Sequence, residues 1–368
     1  MNLSLFGRNG LGGLIVLFAD EYFNFHNRHE ALVQGAFNDI AEKLNEDKLS
    51  LSFAEGITGA GWYLNYLNRS GQIQIDLTSF LEQVDELVFN DAVKNLKSTN
   101  HDFLYGAIGN GIYLVERIGE NNVQLYLYNL VRLLMDLSVK DEHGNLYWVE
   151  ANSKKTVNLS LSHGCASKVV FFSKLLKSNR KNSYLKNCLN KSANFLLSSK
   201  NTVNCGSMFP SILADGVGND CSRLAWCYGD LGIGIALWQA GEVLNDQQFR
   251  DEAVKIYLNS LHRVNFEETQ ICDAGICHGS SGIALMYNRM YKSTKIKEFR
   301  DAALFWCQKT IDFKNNPNVT ADYRSWNGNE LGWQLDDSLL TGSTGVDLTI
   351  LSIQSERDYN WDSCILLC

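Results

Sequence analysis

The feature that most limits how this chain can fold is a short glycine motif that recurs along its whole length. G-x-x-G, often extended to G-x-x-G-x-G, begins at Gly7, Gly56, Gly106, Gly229, Gly279 and Gly342, and a degenerate copy begins at Gly164, where Ser167 stands in place of the second glycine. The seven copies are spaced 49, 50, 58, 65, 50 and 63 residues apart. A period of that size marks a repeat architecture, in which each unit buries its apolar face only against its neighbours. A lone G-x-x-G is a turn and nothing more. Seven copies describe a recurring close approach of backbones, which glycine permits because it has no Cβ.

Each motif leads into a segment with the pattern of a helix. The runs after Gly232 and Gly282, Ile233-Gly-Ile-Ala-Leu-Trp-Gln-Ala and Ile283-Ala-Leu-Met-Tyr, are apolar nearly all round and should be buried on most sides. Between motifs lie amphipathic segments. Phe249, Ala253, Ile256, Tyr257 and Leu261 share one helical face, with Asn245 or Asp246 as N-cap. Ile296, Phe299, Ala303, Trp306 and Thr310 repeat the pattern, as do Leu185, Cys188, Leu189 and Ser192. Each unit is therefore an apolar helix followed by an amphipathic one. Seven such units make an open solenoid or a closed ring, and the apolar helices are too hydrophobic to line an open concave face. The expected fold is all-α, a closed double ring of helices or α/α toroid, forming one domain over residues 1–368. Only two prolines in 368 residues suit a chain made of helices.

Composition narrows the function. Lys and Arg number 33 against 41 Asp and Glu, a net charge of −8, and no basic stripe appears. Nucleic acid and anionic membrane surfaces are poor partners for such a chain. The apolar stretch Leu11 to Ala19 is too short to span a bilayer and lacks the flanks of a signal peptide. The expectation is a soluble, cytoplasmic protein without stable membrane insertion. In that compartment its ten cysteines should be mostly reduced, dividing into buried thiols and metal-binding or reactive ones.

If the repeats are structurally equivalent, residues at one offset from the first glycine meet at one end of the ring. Immediately before it stand Phe6, Glu55, Tyr105, His163, Tyr228, His278 and Thr341; one position earlier stand Leu5, Ala54, Leu104, Ser162, Cys227, Cys277 and Leu340. Cys227, Cys277 and His278 thus converge as a Cys₂His set suited to Zn²⁺, with a fourth position open as in catalytic zinc sites. A single buried cysteine is usually just a small hydrophobe, but matching offsets in adjacent repeats tip the balance towards ligation. His163 shares the offset of His278 and reads as a fourth ligand, a general acid/base or a core residue; an open zinc site needs a proton donor, which favours acid/base. Asp102 is placed to orient it or to cap a turn. Arg223 and Tyr228 flank Cys227 as stabilisers of a developing oxyanion, or as a surface ion pair and a packed ring. Cys188 and Cys307 fall on apolar faces of amphipathic helices, and Cys165, Cys205, Cys221 and Cys272 have no evident partners. Cys364 and Cys368 form a C-x-x-x-C whose spacing permits a metal or disulfide role. His26, His29, His101, His143 and His262 show no ligand spacing.

The segments Asn158-Leu-Ser-Leu-Ser-His163-Gly, Arg223-Leu-Ala-Trp-Cys227-Tyr228-Gly-Asp-Leu-Gly and Ile276-Cys277-His278-Gly, in this order, resemble the lanthionine synthetase C-like family, the cyclases of lanthipeptide biosynthesis. The glycine motifs extend the resemblance over nearly the whole chain. The resemblance implies a zinc-containing α/α toroid. It makes Cys227, Cys277 and His278 the zinc ligands and His163 and Asp102 the acid/base pair, and it puts Arg223 and Tyr228 in the active site. The implied reaction adds a peptide cysteine thiol to dehydroalanine or dehydrobutyrine, closing a lanthionine or methyllanthionine thioether ring. The implied partners are a dehydrated precursor peptide as substrate, with a lanthipeptide dehydratase and an exporter beside it; no dehydratase region is attached to this chain.

Three departures from the family pattern stand out. Ser167 replaces a glycine close to His163. The chain begins almost on its first motif, where family members carry an outer helix, so seven inner segments face six outer ones and the ring is expected to close imperfectly. No inserted peptide-binding subdomain is evident. Rival readings are a relative that adds glutathione to dehydroamino acids with the same zinc chemistry, and a non-catalytic toroid that binds peptides. Prenyltransferase-like or glycosidase-like toroids predict paired carboxylates or other ligand arrangements, which the sequence lacks.

Overall fold

A computed structural model of the chain describes residues 4–6, 35, 50–71, 76–151, 153, 155–202, 205–218, 221–314, 323–356, 358 and 360–368. The first glycine motif, from Gly7, lies outside them, and with it the expectation about how the ring closes at its start. Six helices follow six motifs: α1 (Ile57–Arg69), α3 (Ala107–Glu116), α5 (Cys165–Ser178), α7 (Asp230–Leu244), α9 (Ser280–Thr294) and α11 (Ser343–Gln354). Between them lie α2 (Thr78–Lys97), α4 (Val123–Asp136), α6 (Ser183–Ser198), α8 (Gln247–Ser260) and α10 (Lys297–Lys314). Odd-numbered helices touch one another in chain order, and even-numbered helices pack against them. The fold is an α/α toroid, as the alternation of apolar and amphipathic segments predicts.

The two rings start their helices differently. Outer helices use side-chain caps: Asn182 accepts from the Leu185 amide at 3.0 Å and Asp246, an expected cap, from that of Phe249 at 3.3 Å. Inner helices have glycine at the N-cap and no side-chain cap. Their first free amides are taken up by carbonyls of the entering loop: Ile57 donates to Ser50, Ala107 to Asn100, Ser280 to Asp273 and Ser343 to Asp336, at 2.9–3.2 Å. So tight a loop leaves no room for side chains at the glycines. A Cβ at Gly109 would run into the Phe103 carbonyl and come within 2.6 Å of the Phe53 Cβ. Gly229 alone among the capping glycines has a left-handed φ, +96°, a conformation costly for any other residue.

The residue three before each first glycine points into the ring. Phe53, Phe103, Leu161, Trp226, Ile276 and Leu339 are all fully buried, and Phe53–Phe103 and Phe103–Trp226 approach to 5.2 and 6.5 Å between ring centres. They form a packed floor. The outer helices bury the faces read from the sequence: Phe249, Ala253, Ile256 and Tyr257 on α8, with Leu261 just past its end, and Phe299, Ala303, Trp306 and Thr310 on α10. Three short antiparallel ladders decorate the loops: β1 (Val139–Lys140) with β2 (Leu146–Tyr147), β3 (Thr156–Asn158) with β4 (Ile212–Ala214), and β5 (Ser325–Trp326) with β6 (Trp333–Gln334). The β3–β4 ladder pairs Asn158 with Ile212 and leads directly into the turn carrying His163. Among the described residues no helix is long and apolar enough to cross a membrane.

Candidate metal centre and active site

Above the floor, the residues two before each glycine are joined by backbone hydrogen bonds from one repeat to the next. Ser162 donates to Cys227 (3.3 Å), Cys227 to Cys277 (3.1 Å), Cys277 to Leu340 (2.8 Å), and, across the ring, Ala54 to Leu104 (2.9 Å). This ladder sets Cys227 beside Cys277, and the following residue, His278, completes a cluster whose ligand atoms all lie within 4.8 Å of one another. Cys227 is buried, while Cys277 and His278 are half-buried. Asp273 Oδ2 lies 3.7 Å from His278 Nε2 and is itself held by the Trp326 amide at 3.0 Å; Oδ1 accepts from the Gly275 amide, also at 3.0 Å. Two sulfurs, an imidazole and a carboxylate beside the imidazole are a donor set and outer support that a zinc ion would fit. The hydrogen bond from the Cys277 thiol, helped by His278 and the charge of Arg223, pulls the Cys227 thiol down to about 5, while the same hydrogen bond pushes Cys277 up. The pair is thus predisposed to lose a proton, as metal ligation requires.

His163 stands at the next rung. Its Nδ1 is 2.5 Å from Asp102 Oδ2, and its ring centre is 5.9 Å from that of Tyr228. Asp102 fills both roles open to it, because Oδ1 also accepts from the Tyr105 amide at 2.7 Å and caps that turn. Burial alone would depress the His163 pKa; the Asp102 hydrogen bond and charge outweigh it and the net shift is upward. Burial would likewise raise Asp102, but its hydrogen bond and ion pair with His163 prevail and hold it below the ordinary range. Tyr228 is half-buried, its hydroxyl 3.4 Å from Asn158 Nδ2. Arg223 is also half-buried; among the described residues its side chain makes no hydrogen bond or ion pair, and its charge acts on Cys227, Cys272 and Cys277.

Several participants escaped sequence reasoning. Lys168 is fully buried directly behind His163, donating to the His163 carbonyl at 3.1 Å and the Gly164 carbonyl at 3.0 Å. It stands four after the first glycine, where the other described repeats have Ala60, Asn110, Ile233, Ile283 and Val346; comparing that register would have exposed it. Asp273 stands six before its glycine, where the other described repeats have Ser50, Asn100, Asn158, Arg223 and Asp336; the register marks a shared turn but not the contact with His278. Cys205 and Cys221, for which the sequence offered no partners, are bonded to each other with Cα atoms 5.7 Å apart. This corrects the expectation of unpaired thiols there: the pairing closes a surface loop and depends on how β4 folds back. Cys364 and Cys368 are not bonded to each other; Cys364 is buried and the Cys368 sulfur lies 3.4 Å from Asp362 Oδ1. Ser167 fits the glycine position, its hydroxyl turned back to the Gly164 carbonyl at 2.7 Å.

The profile of the family described as lanthionine synthetase C-like protein matches residues 6–366. The chain belongs to the lanthionine synthetase C-like family. Among solved structures, a nisin cyclase superposes with a TM-score of 0.79 over 100% of this chain and 92% of that one, at 19% identity, which shows a shared fold. Weaker likenesses, which carry no argument, are to the Lin0763 protein from Listeria innocua (TM-score 0.47, 15% identity, 83% of this chain and 81% of that) and to a cellobiose 2-epimerase from Bacillus thermoamylovorans (0.43, 12%, 67% and 71%). A search of the curated proteins found no match. In this member of the lanthionine synthetase C-like family, the cysteine–histidine cluster and the His163–Asp102 pair share one face of the ring.

Proposed function

We propose that this protein is a lanthipeptide cyclase that adds cysteine thiols of a dehydrated precursor peptide to its dehydroalanine or dehydrobutyrine residues. The observation that carries the reading is the placement of a hydrogen-bonded His163–Asp102 pair one rung from a Cys227–Cys277–His278 cluster. Cys227, Cys277 and His278 would hold a zinc ion, which when bound lowers the pKa of an added thiol so that it reacts as thiolate.

The chain's own residues handle charge and protons. As the C–S bond forms at the β-carbon, negative charge spreads to the α-carbon and its carbonyl oxygen. The Arg223 guanidinium and the Tyr228 hydroxyl stabilise that oxygen. His163, held protonated by Asp102, delivers a proton from Nε2 to the α-carbon. Asp102 fixes the ring by binding Nδ1, leaving Nε2 to face the substrate. The proton lost by the thiol leaves to solvent and His163 takes one back from solvent, so the cycle balances and the product has the mass of the substrate. The peptide reaches this protein after a dehydratase has removed water from its serines and threonines.

Because cyclisation leaves mass unchanged, the test counts thiols. The metal-loaded protein is incubated with a dehydrated precursor peptide, then with a thiol alkylating agent, and the mass is read. The reading expects alkylation sites to disappear one by one as rings form. Full alkylation after prolonged incubation would overturn it. A parallel arm with glutathione separates cyclisation from glutathione addition, which would increase the peptide's mass.

A further inference from the structure

Lys168 is a cation in the apolar interior of the ring, and the fold does not need one there. The matching positions of other repeats are filled by aliphatic side chains or asparagine. Among the described residues no carboxylate lies within ion-pair distance of its ammonium group. Its hydrogen-bond partners are the carbonyls of His163 and Gly164, while Ser167 donates to the Gly164 carbonyl as well. An ammonium group without a counter-ion is costly to bury, and an aliphatic residue would fill the space without that cost. The return for the cost must lie in what the two carbonyls do. They belong to the turn that presents the His163 side chain, in the one motif whose second glycine is missing.

We propose that Lys168 is the positioning residue for His163: its ammonium group, sunk behind the His163–Gly164 turn, grips both carbonyls of that turn and so fixes the imidazole against Asp102. The charged and titratable groups around the His163 ring are Asp102, Lys168, Tyr228 and Cys227, with Glu150 acting on Lys168 and Asp102 from the neighbouring loop. Lys168 touches none of the reacting atoms. It acts through the backbone of the residue that does, and its charge opposes that of Asp102 from the buried side.

The inference rests on the reading of His163 as proton donor, and the experiment separates the two. Lys168→Met and Lys168→Gln are compared with wild type, all metal-loaded. Both should fold by circular dichroism and keep their metal. For Lys168→Met, kcat for cyclisation should fall about tenfold or more with KM little changed, the cost of a displaced catalytic group. Lys168→Gln, whose amide still reaches a carbonyl, should lose less. The downfield NMR resonance of the proton shared by His163 Nδ1 and Asp102 should weaken or vanish in Lys168→Met. In a His163→Asn background, Lys168→Met should cost nothing further. The proposal is overturned by a folded Lys168→Met with unchanged kcat and resonance, by losses that add to that of His163→Asn, or by failure of both variants to fold, which would make Lys168 a stability residue only. A wild type inert towards dehydrated peptide would sink the cyclase reading instead, and the resonance comparison would still decide Lys168.

Discussion

The Cys227 amide donates to the Cys277 carbonyl at 3.1 Å, although fifty residues of chain separate them. That bond is one rung of a ladder linking equivalent positions of successive repeats, and it brings the two sulfurs to one side of the ring. The cysteine–histidine cluster is thus a by-product of the repeat geometry, with side-chain choice deciding which rungs carry it.

If the cluster holds zinc, replacing Cys277 or Cys227 by alanine should remove most of the bound metal. Cyclisation should drop by more than the roughly 10–100-fold typical of losing an outer support. Elemental analysis and thiol counting on the same samples check this. A metal-free Cys277→Ala protein that still closes rings at the wild-type rate would exclude the mechanism.

His163→Asn should lower turnover by about 10²–10⁴-fold, the range for a lost general acid, with fold and metal content intact. The pH dependence has a definite sign. The raised pKa of His163 keeps the acid protonated above its ordinary range, so activity should fall as pH rises through that pKa. Asp102→Asn removes the charge that raises it and should move the falling limb to lower pH. A limb that stays in place would detach Asp102 from His163.

Stability should be sensitive at a site remote from the chemistry. Asp85 accepts from Arg117 Nε and Nη2, both at 3.1 Å, and from the Tyr113 hydroxyl at 2.6 Å, with all three residues buried. Asp85→Ala leaves the buried Arg117 guanidinium with only the half-exposed Glu120 at 3.5 Å and Asn65 at 3.4 Å, and should cost about 3–5 kcal/mol in a denaturant titration. A change below about 1 kcal/mol would mean that water reaches Arg117 and replaces the carboxylate.

Gly109→Ala places a methyl group against the Phe103 carbonyl and the Phe53 Cβ. Backbone cannot yield as a side chain can, so a loss of about 1–3 kcal/mol or more is expected. The unfolding midpoint reads it directly, and an unchanged midpoint would show that the loop relaxes freely.

The sites that were legible are those tied to the repeat. The offsets of Cys227, Cys277, His278 and His163 are visible as letters once the glycines are aligned, and the ladder turns equal offset into neighbourhood. The N-cap at Asp246 and the buried faces of α8 and α10 were equally readable, because caps and helical periodicity are local. Lys168 stands four after its glycine, inside the helix, in a register filled elsewhere by aliphatic residues and asparagine. Asp273 shares its register with Asn100, Asn158 and Asp336, so nothing in the letters marks it for His278, and the Cys205–Cys221 pair has no counterpart in other repeats.

By itself the sequence determined the alternation of inner and outer helices through the six described units and which side chains stand at which rung, since these follow from local periodicity and from where a Cβ cannot fit. Only the tertiary structure decided that Asp102 both binds His163 and caps its own turn, that Asp273 backs His278, that Asp85 binds Arg117, and that a buried lysine grips the His163 turn. Those contacts join residues across loops of unequal length, and the path of such a loop is set by the packing of the whole ring.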